Sequence, residues 1–279
     1  MTEGRLARRR RHRRRRRAAL LAVLILMAGL GMYFVAGAVG DESPQAMDTE
    51  PPLTDTNRAP SSDVPTTPAA TETPPPPLYY SGTGTWTYAQ PSAAAAAAFG
   101  RSGTLLKYNV AVEDGLELDV QEFSDAVAAT LSDPRSWTAG GGWRFQQVGE
   151  SGADFTIYLA SPEQRSILCS QPGTSVSCRN GDNVVINSAR WLTAVDHWDG
   201  TLQTYRQYVV NHEVGHRLGH AHEVCPAEGE LSPVMAQQTF QLAGCVGNAW
   251  PYPDGETYLE GPLGSYDGPA LPPDDYADD

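Results

Sequence analysis

The chain has 279 residues and a formal net charge of −13, from 33 acidic and 20 basic side chains. Residues 1–17 contribute +9, with ten arginines and one acid, which leaves −22 for everything after them. A remainder that acidic excludes nucleic acid and anionic lipid as its partners and favours cationic ones.

Ala18 to Val39 is free of charge and rich in Leu, Val, Ala and Met, long enough to cross a bilayer. Arginines directly before such a run stay on the cytoplasmic side. The expectation is a cytoplasmic segment at 1–17, a single-pass anchor at 18–40, and a remainder displayed outside the cell membrane. A nucleic-acid-binding tail is the rival for the arginines, and a cleaved signal peptide ending near Ala36-Gly37-Ala38 is the rival for the apolar run. The run exceeds the usual signal core, which favours the anchor. Residues 41–78 are dominated by Pro, Thr, Ser, Asp and Glu, a composition that cannot bury enough apolar surface to offset its ordering entropy. They read as a disordered stalk.

Residues 79–252 are long enough for one domain with its own core. The alternation of Leu105 to Val112, ended by Glu113-Asp114-Gly115, predicts a strand. Asp119 is placed to cap a helix through about Leu131, with Val120, Phe123, Val127 and Leu131 at helical spacing and Asp133-Pro134 stopping it. Trp143 to Val148, Phe155 to Ala160 and Asn183 to Asn187 predict strands, and Gly200 precedes a second long helix, Leu202 to Leu218. The order is that of an α+β domain. Residues 253–279, rich in Gly, Pro, Tyr and Asp, read as a disordered acidic tail.

The second helix ends in the densest chemistry of the chain, Asn211-His-Glu-Val-Gly-His-Arg-Leu-Gly-His-Ala-His-Glu223. His212 and His216, four residues apart, leave one helix face a turn apart and can share one zinc ion, with Glu213 beside them as a general base. Gly219 can take a left-handed conformation and turn the chain so that His222 becomes the third ligand. With His 6 and Gly 27 of 279 residues, five specified positions arise by accident on the order of once in a hundred thousand chains. His220 precedes the reversal and reads as a neighbour of the site, and His197 as a satisfied loop histidine.

These residues, H-E-x-x-H-x-x-G-x-x-H, resemble the metzincin zinc peptidases, with Met235 in Pro233-Val-Met-Ala-Gln-Gln-Thr239 where their methionine turn should come. Glu223 after the third His resembles the astacin branch, although Gln237 stands where that branch often has a tyrosine. Asn211 to His222, Cys225-Pro226, Pro233 to Thr239, Cys245, Asn248 and Trp250-Pro251 together resemble more closely an actinobacterial family of membrane-anchored, metzincin-like domains. The resemblance covers residues 79–252 and implies a metzincin-like fold and a Zn2+ site on His212, His216 and His222, with Gly219 and Met235 structural.

All four cysteines follow the anchor, in an oxidising setting that permits three pairings. Proximity in sequence favours Cys169 with Cys178 and Cys225 with Cys245; the rival makes Cys225 a zinc ligand, which would close the open position that catalysis needs. The functional expectation is a monomeric metalloendopeptidase at the extracellular face, cleaving a peptide or protein substrate with Glu213 as base. Its rivals are a zinc hydrolase of cell-envelope peptide cross-links and a zinc-stabilised binding module that hydrolyses nothing.

Overall fold

The computed structural model describes residues 76–277. The arginine-rich segment, the anchor and all but the end of the stalk lie outside the described residues. Within them the strands are β1 (Trp86–Tyr88), β2 (Thr104–Glu113), β3 (Trp143–Gln147), β4 (Phe155–Ala160), β5 (Cys178–Asn180) and β6 (Asn183–Asn187). The helices are α1 (Ala93–Ala96), α2 (Val120–Ser132), α3 (Pro162–Cys169), α4 (Ser188–Thr193) and α5 (Leu202–Arg217). The fold is α+β around a mixed sheet. No described helix is long and apolar enough to cross a membrane.

The sheet runs β1-β2-β4-β6-β5, with β3 also on β2. β2, β3, β4 and β6 are parallel, while β1 and β5 run antiparallel to their neighbours. From Tyr108 to Glu113 every residue of β2 is buried, as a central strand covered on both faces requires. The short strands β1 and β5 escaped the sequence reading because three residues are too few to show a period.

α2 begins where Asp119 Oδ1 accepts the amide hydrogens of Gln121 at 2.7 Å and Glu122 at 2.8 Å. Its Phe123, Val127 and Leu131 are buried at one-turn intervals, in one core with Ile157, Leu159, Val184 and Ile186 of the sheet. α5 joins that core through Tyr205, Tyr208, Val209, Val210 and Val214. Its cap is Thr201, whose hydroxyl accepts the amide of Thr204 at 3.2 Å, and it ends at Arg217, one residue short of the prediction. α3, with Ser161 as cap and Pro162 in its first turn, was not foreseen, because its polar composition carries little helical periodicity. Disulfides join Cys169 to Cys178 and Cys225 to Cys245.

The expectation of a disordered tail needs correction. Residues 253–277 pack back along the domain. Val224 donates its amide to Pro262 O at 2.9 Å, Tyr266 its amide to Gln237 Oε1 at 2.8 Å, and Ala277 its amide to Leu78 O at 2.7 Å. Arg190 and Asp274 form an ion pair with both side chains largely buried. Composition misled because this segment is held by backbone amides, tyrosines and one acid meeting fixed partners, rather than by an apolar stripe.

Gly215 lies on the face of α5 toward Met235 and Trp137, both fully buried. A Cβ added there would overlap the Met235 sulfur and lie 2.6 Å from Trp137 Cζ2. Gly→Ala inside a helix ordinarily stabilises by about 1 kcal/mol. Here Gly215→Ala is expected to destabilise by about 1–3 kcal/mol through overpacking, read as a lower midpoint in denaturant; an unchanged or raised midpoint would refute this packing.

Candidate metal centre

Three imidazoles meet at the end of α5. One nitrogen from each of His212, His216 and His222 lies within 4.8 Å of the others, and no other group of three or more such ligands occurs among the described residues. His212 and His216 project from successive turns of the helix. Gly219 then takes φ +97°, with open space where a Cβ would stand, so the glycine serves backbone conformation rather than packing. The turn it makes carries His222 back to face His216, Nε2 to Nε2 at 3.0 Å.

The outer nitrogens fix how these rings present themselves. His212 Nδ1 donates to Val234 O at 2.8 Å, and His216 Nδ1 to His220 O at 2.9 Å. A carbonyl only accepts, so both rings carry their proton on Nδ1 and turn a bare Nε2 inward. His222 Nδ1 sits 3.3 Å from Ser265 Oγ, a hydroxyl able to accept from it in the same way. In that arrangement two lone pairs oppose each other at 3.0 Å. A shared cation between them is the chemistry that such a donor set fits.

Burial favours the neutral rings. It is the main reason that His212 is held well below the ordinary imidazole range, with the charges of His216 and His222 adding to it. Burial, then His216, lowers His222 to about 4, and burial lowers His216 as well. Glu213, 5% exposed, is pushed up to about 8 by burial, against the opposing charge of Arg165. Its Oε2 is buried without a hydrogen-bond partner. An orphaned carboxylate oxygen beside three convergent imidazole nitrogens suits a site in which a metal and a water complete the set.

Glu213, His212, His216 and His222 line one cavity of about 570 Å3, which extends to Arg165 on α3, Ser177 and Arg179 at β5, and Gln237 and Phe240. Other residues singled out in the sequence add no ligand to the cluster. His220 packs its ring on Trp137 at 4.4 Å and approaches Tyr258 Oη at 3.5 Å, away from the three convergent nitrogens. Cys225 is bonded to Cys245 and offers no thiolate. His197 Nε2 bonds Gln238 O at 2.9 Å, outside the cluster. Met235 is fully buried, beneath the turn between His212 and His216. Arg165, Tyr258 and Ser265 escaped the sequence reading. None belongs to a spaced motif, and only the fold brings them to this place.

Two outcomes are expected. His222→Ala strips bound metal while His220→Ala retains it, measured as metal content after dialysis; the reverse result would overturn the ligand assignment. In the metal-free chain, His222 has a folded pKa of about 4 against an ordinary 6.5. Between those values the unfolded state binds the proton and the folded state does not, so stability falls as pH drops from 6.5 toward 4. Melting temperature across that window tests this, and His222→Gln should flatten part of the slope.

No curated protein and no solved structure matches the chain. A family model matches residues 74–253, well over half of its length. The match takes in the sheet, α5 and the loop of Met235, and the chain belongs to the family described as protein of unknown function (DUF3152).

Proposed function

We propose that this protein is a zinc-dependent metalloendopeptidase with a metzincin-like domain, held at the extracellular face of the membrane by its N-terminal segment. The observation that carries the reading is the buried carboxylate of Glu213, one oxygen of it without a partner, lining one open cavity together with three imidazoles whose nitrogens converge. A site with only a structural metal has no need of an unpartnered carboxylate. No fourth cysteine, histidine or acid joins the cluster among the described residues, which leaves a position free for chemistry. β5, short and antiparallel, runs along the cavity with Ser177, Cys178 and Arg179, where an extended peptide can lie against a strand edge.

Zinc, when bound, supplies Lewis acidity and brings the pKa of a coordinated water toward about 7. The protein's residues do the rest. Val234 O and His220 O hold His212 and His216 in the tautomer that presents Nε2. Glu213 takes the proton of the attacking water on its carboxylate and returns it to the departing amine nitrogen. Its high pKa in the metal-free site reflects burial, and a cation beside it favours the carboxylate that a base must be.

Glu213→Gln is expected to keep metal content and fold while lowering peptide cleavage by about 10²–10⁴-fold. Zinc analysis and turnover of a peptide library by both proteins decide this. A variant as fast as wild type removes Glu213 from the role of base. A wild type that cleaves neither peptides nor cell-wall cross-links sinks the hydrolase reading.

A further inference from the structure

Two arginines of the domain are as buried as its core, Arg165 and Arg190, each 4% exposed. Arg190 has a counter-ion, Asp274. Arg165 has none: no carboxylate pairs with it among the described residues. Its Nη1 donates to Gly173 O at 2.6 Å and to Gln171 O at 3.5 Å, which fixes the guanidinium against the loop after α3. Its Nε is buried without a partner. A guanidinium so placed is always charged, and leaving it unpaired is costly unless a ligand supplies the anion.

The charge with most effect on Arg165 is that of Glu213, which lines the same cavity. The two do not pair, since Arg165 Nε and Glu213 Oε2 are both without partners. The cavity wall therefore carries a fixed cation as well as the convergent imidazoles. Arg179, exposed on β5, adds a second positive group to the wall. Glu213 is the only carboxylate lining the cavity. In a chain whose residues after 17 carry −22, a cavity with this balance is built for an anion.

We propose that Arg165 anchors a carboxylate of the bound ligand, either an Asp or Glu side chain or a free peptide C-terminus, beside the metal centre. A guanidinium is a charged donor suited to a carboxylate, and the loop carbonyls that already hold Nη1 restrict its movement before binding. The inference names the substrate class for the hydrolase reading, on which its catalytic arm rests; its binding arm does not depend on catalysis.

The test uses the full-length chain and three probes: capped Ala-Ala-Glu-Ala-Ala, its capped Gln counterpart, and Ala-Ala-Gln-Ala-Ala with a free C-terminus. Binding is measured calorimetrically on metal-free protein and cleavage on the zinc-loaded form. At least one carboxylate probe is expected to bind about tenfold or more tightly than the capped Gln peptide. Arg165→Gln should abolish that preference and Arg165→Lys keep part of it. Which probe is preferred tells an acidic side chain from a terminus. Equal binding of all three probes by wild type, a measurement that needs no variant, overturns the proposal. So does an Arg165→Gln protein that melts normally and keeps the preference. Arg165-dependent binding without cleavage retains this inference and removes the hydrolase reading. Cleavage indifferent to carboxylates does the opposite.

Discussion

The molecule depends on one seam, between α5 and the irregular loop 231–239. Tyr205, Tyr208, His212 and Gly215 follow one another at helical spacing along one face. Tyr205 Oη meets Thr239 Oγ1 at 3.0 Å, Tyr208 Oη donates to Ala236 O at 3.0 Å, and His212 Nδ1 donates to Val234 O at 2.8 Å. Gly215 leaves room for Met235 in the next turn. A buried loop with no ladder of its own has carbonyls to satisfy, and each left bare would cost about 1–3 kcal/mol. The helix satisfies them in order, and the same contacts set the register of His212, the first of the three convergent imidazoles. The loop is stiffened from behind by Asn248, which donates to Ser232 O and Trp250 O and gives its amide to Gln238 Oε1.

The seam decides charge as well as position. Burial at the end of a helix removes water from three histidines and a glutamate, and at these positions desolvation outweighs every hydrogen bond or neighbouring charge as the cause of the shift. The result is three neutral rings, which metal coordination requires. It is also a carboxyl that is hard to ionise until a positive charge arrives. Arg165 supplies some of that charge without closing a bond, so the glutamate stays without a partner.

What the sequence disclosed follows from periodicity. The four-residue interval of His212 and His216, the turning glycine and the cap at Asp119 are local rules, and local rules are written in neighbouring letters. β2, β3, β4, β6, α2 and α5 were legible for the same reason. The carbonyls of Val234 and His220 that choose the tautomers are backbone atoms, with no letter to betray them. Arg165 reaches the cavity from a helix nearly fifty residues before the motif, and the sequence gives no interval from which to infer that. The tail misled because its composition is that of a solvated chain, while its binding is by amides and hydroxyls that any composition can offer.

That tail bears on the least secure of the three candidate ligands. His212 and His216 inherit their positions from a regular helix, but His222 lies past the glycine, where no helical bond restrains it. Its neighbours supply the restraint instead. Glu223 donates its amide to Met235 O at 3.1 Å, which ties the segment of the third candidate ligand to the same loop that holds the first. The buried Glu223 carboxylate accepts from Tyr258 Oη and from the amide of Gly261, each at 3.1 Å. Gly264 donates to His222 O at 3.2 Å, and Ser265 follows at the ring. Tyr258, Gly261, Gly264 and Ser265 all lie beyond residue 253, where the family match ends. A buried carboxylate is tolerated only when donors reach it, so Glu223 requires the tail to stay docked, and the docked tail keeps His222 facing His216. The position of the third candidate ligand is thus set by the motif's turning glycine together with chain that follows the family domain.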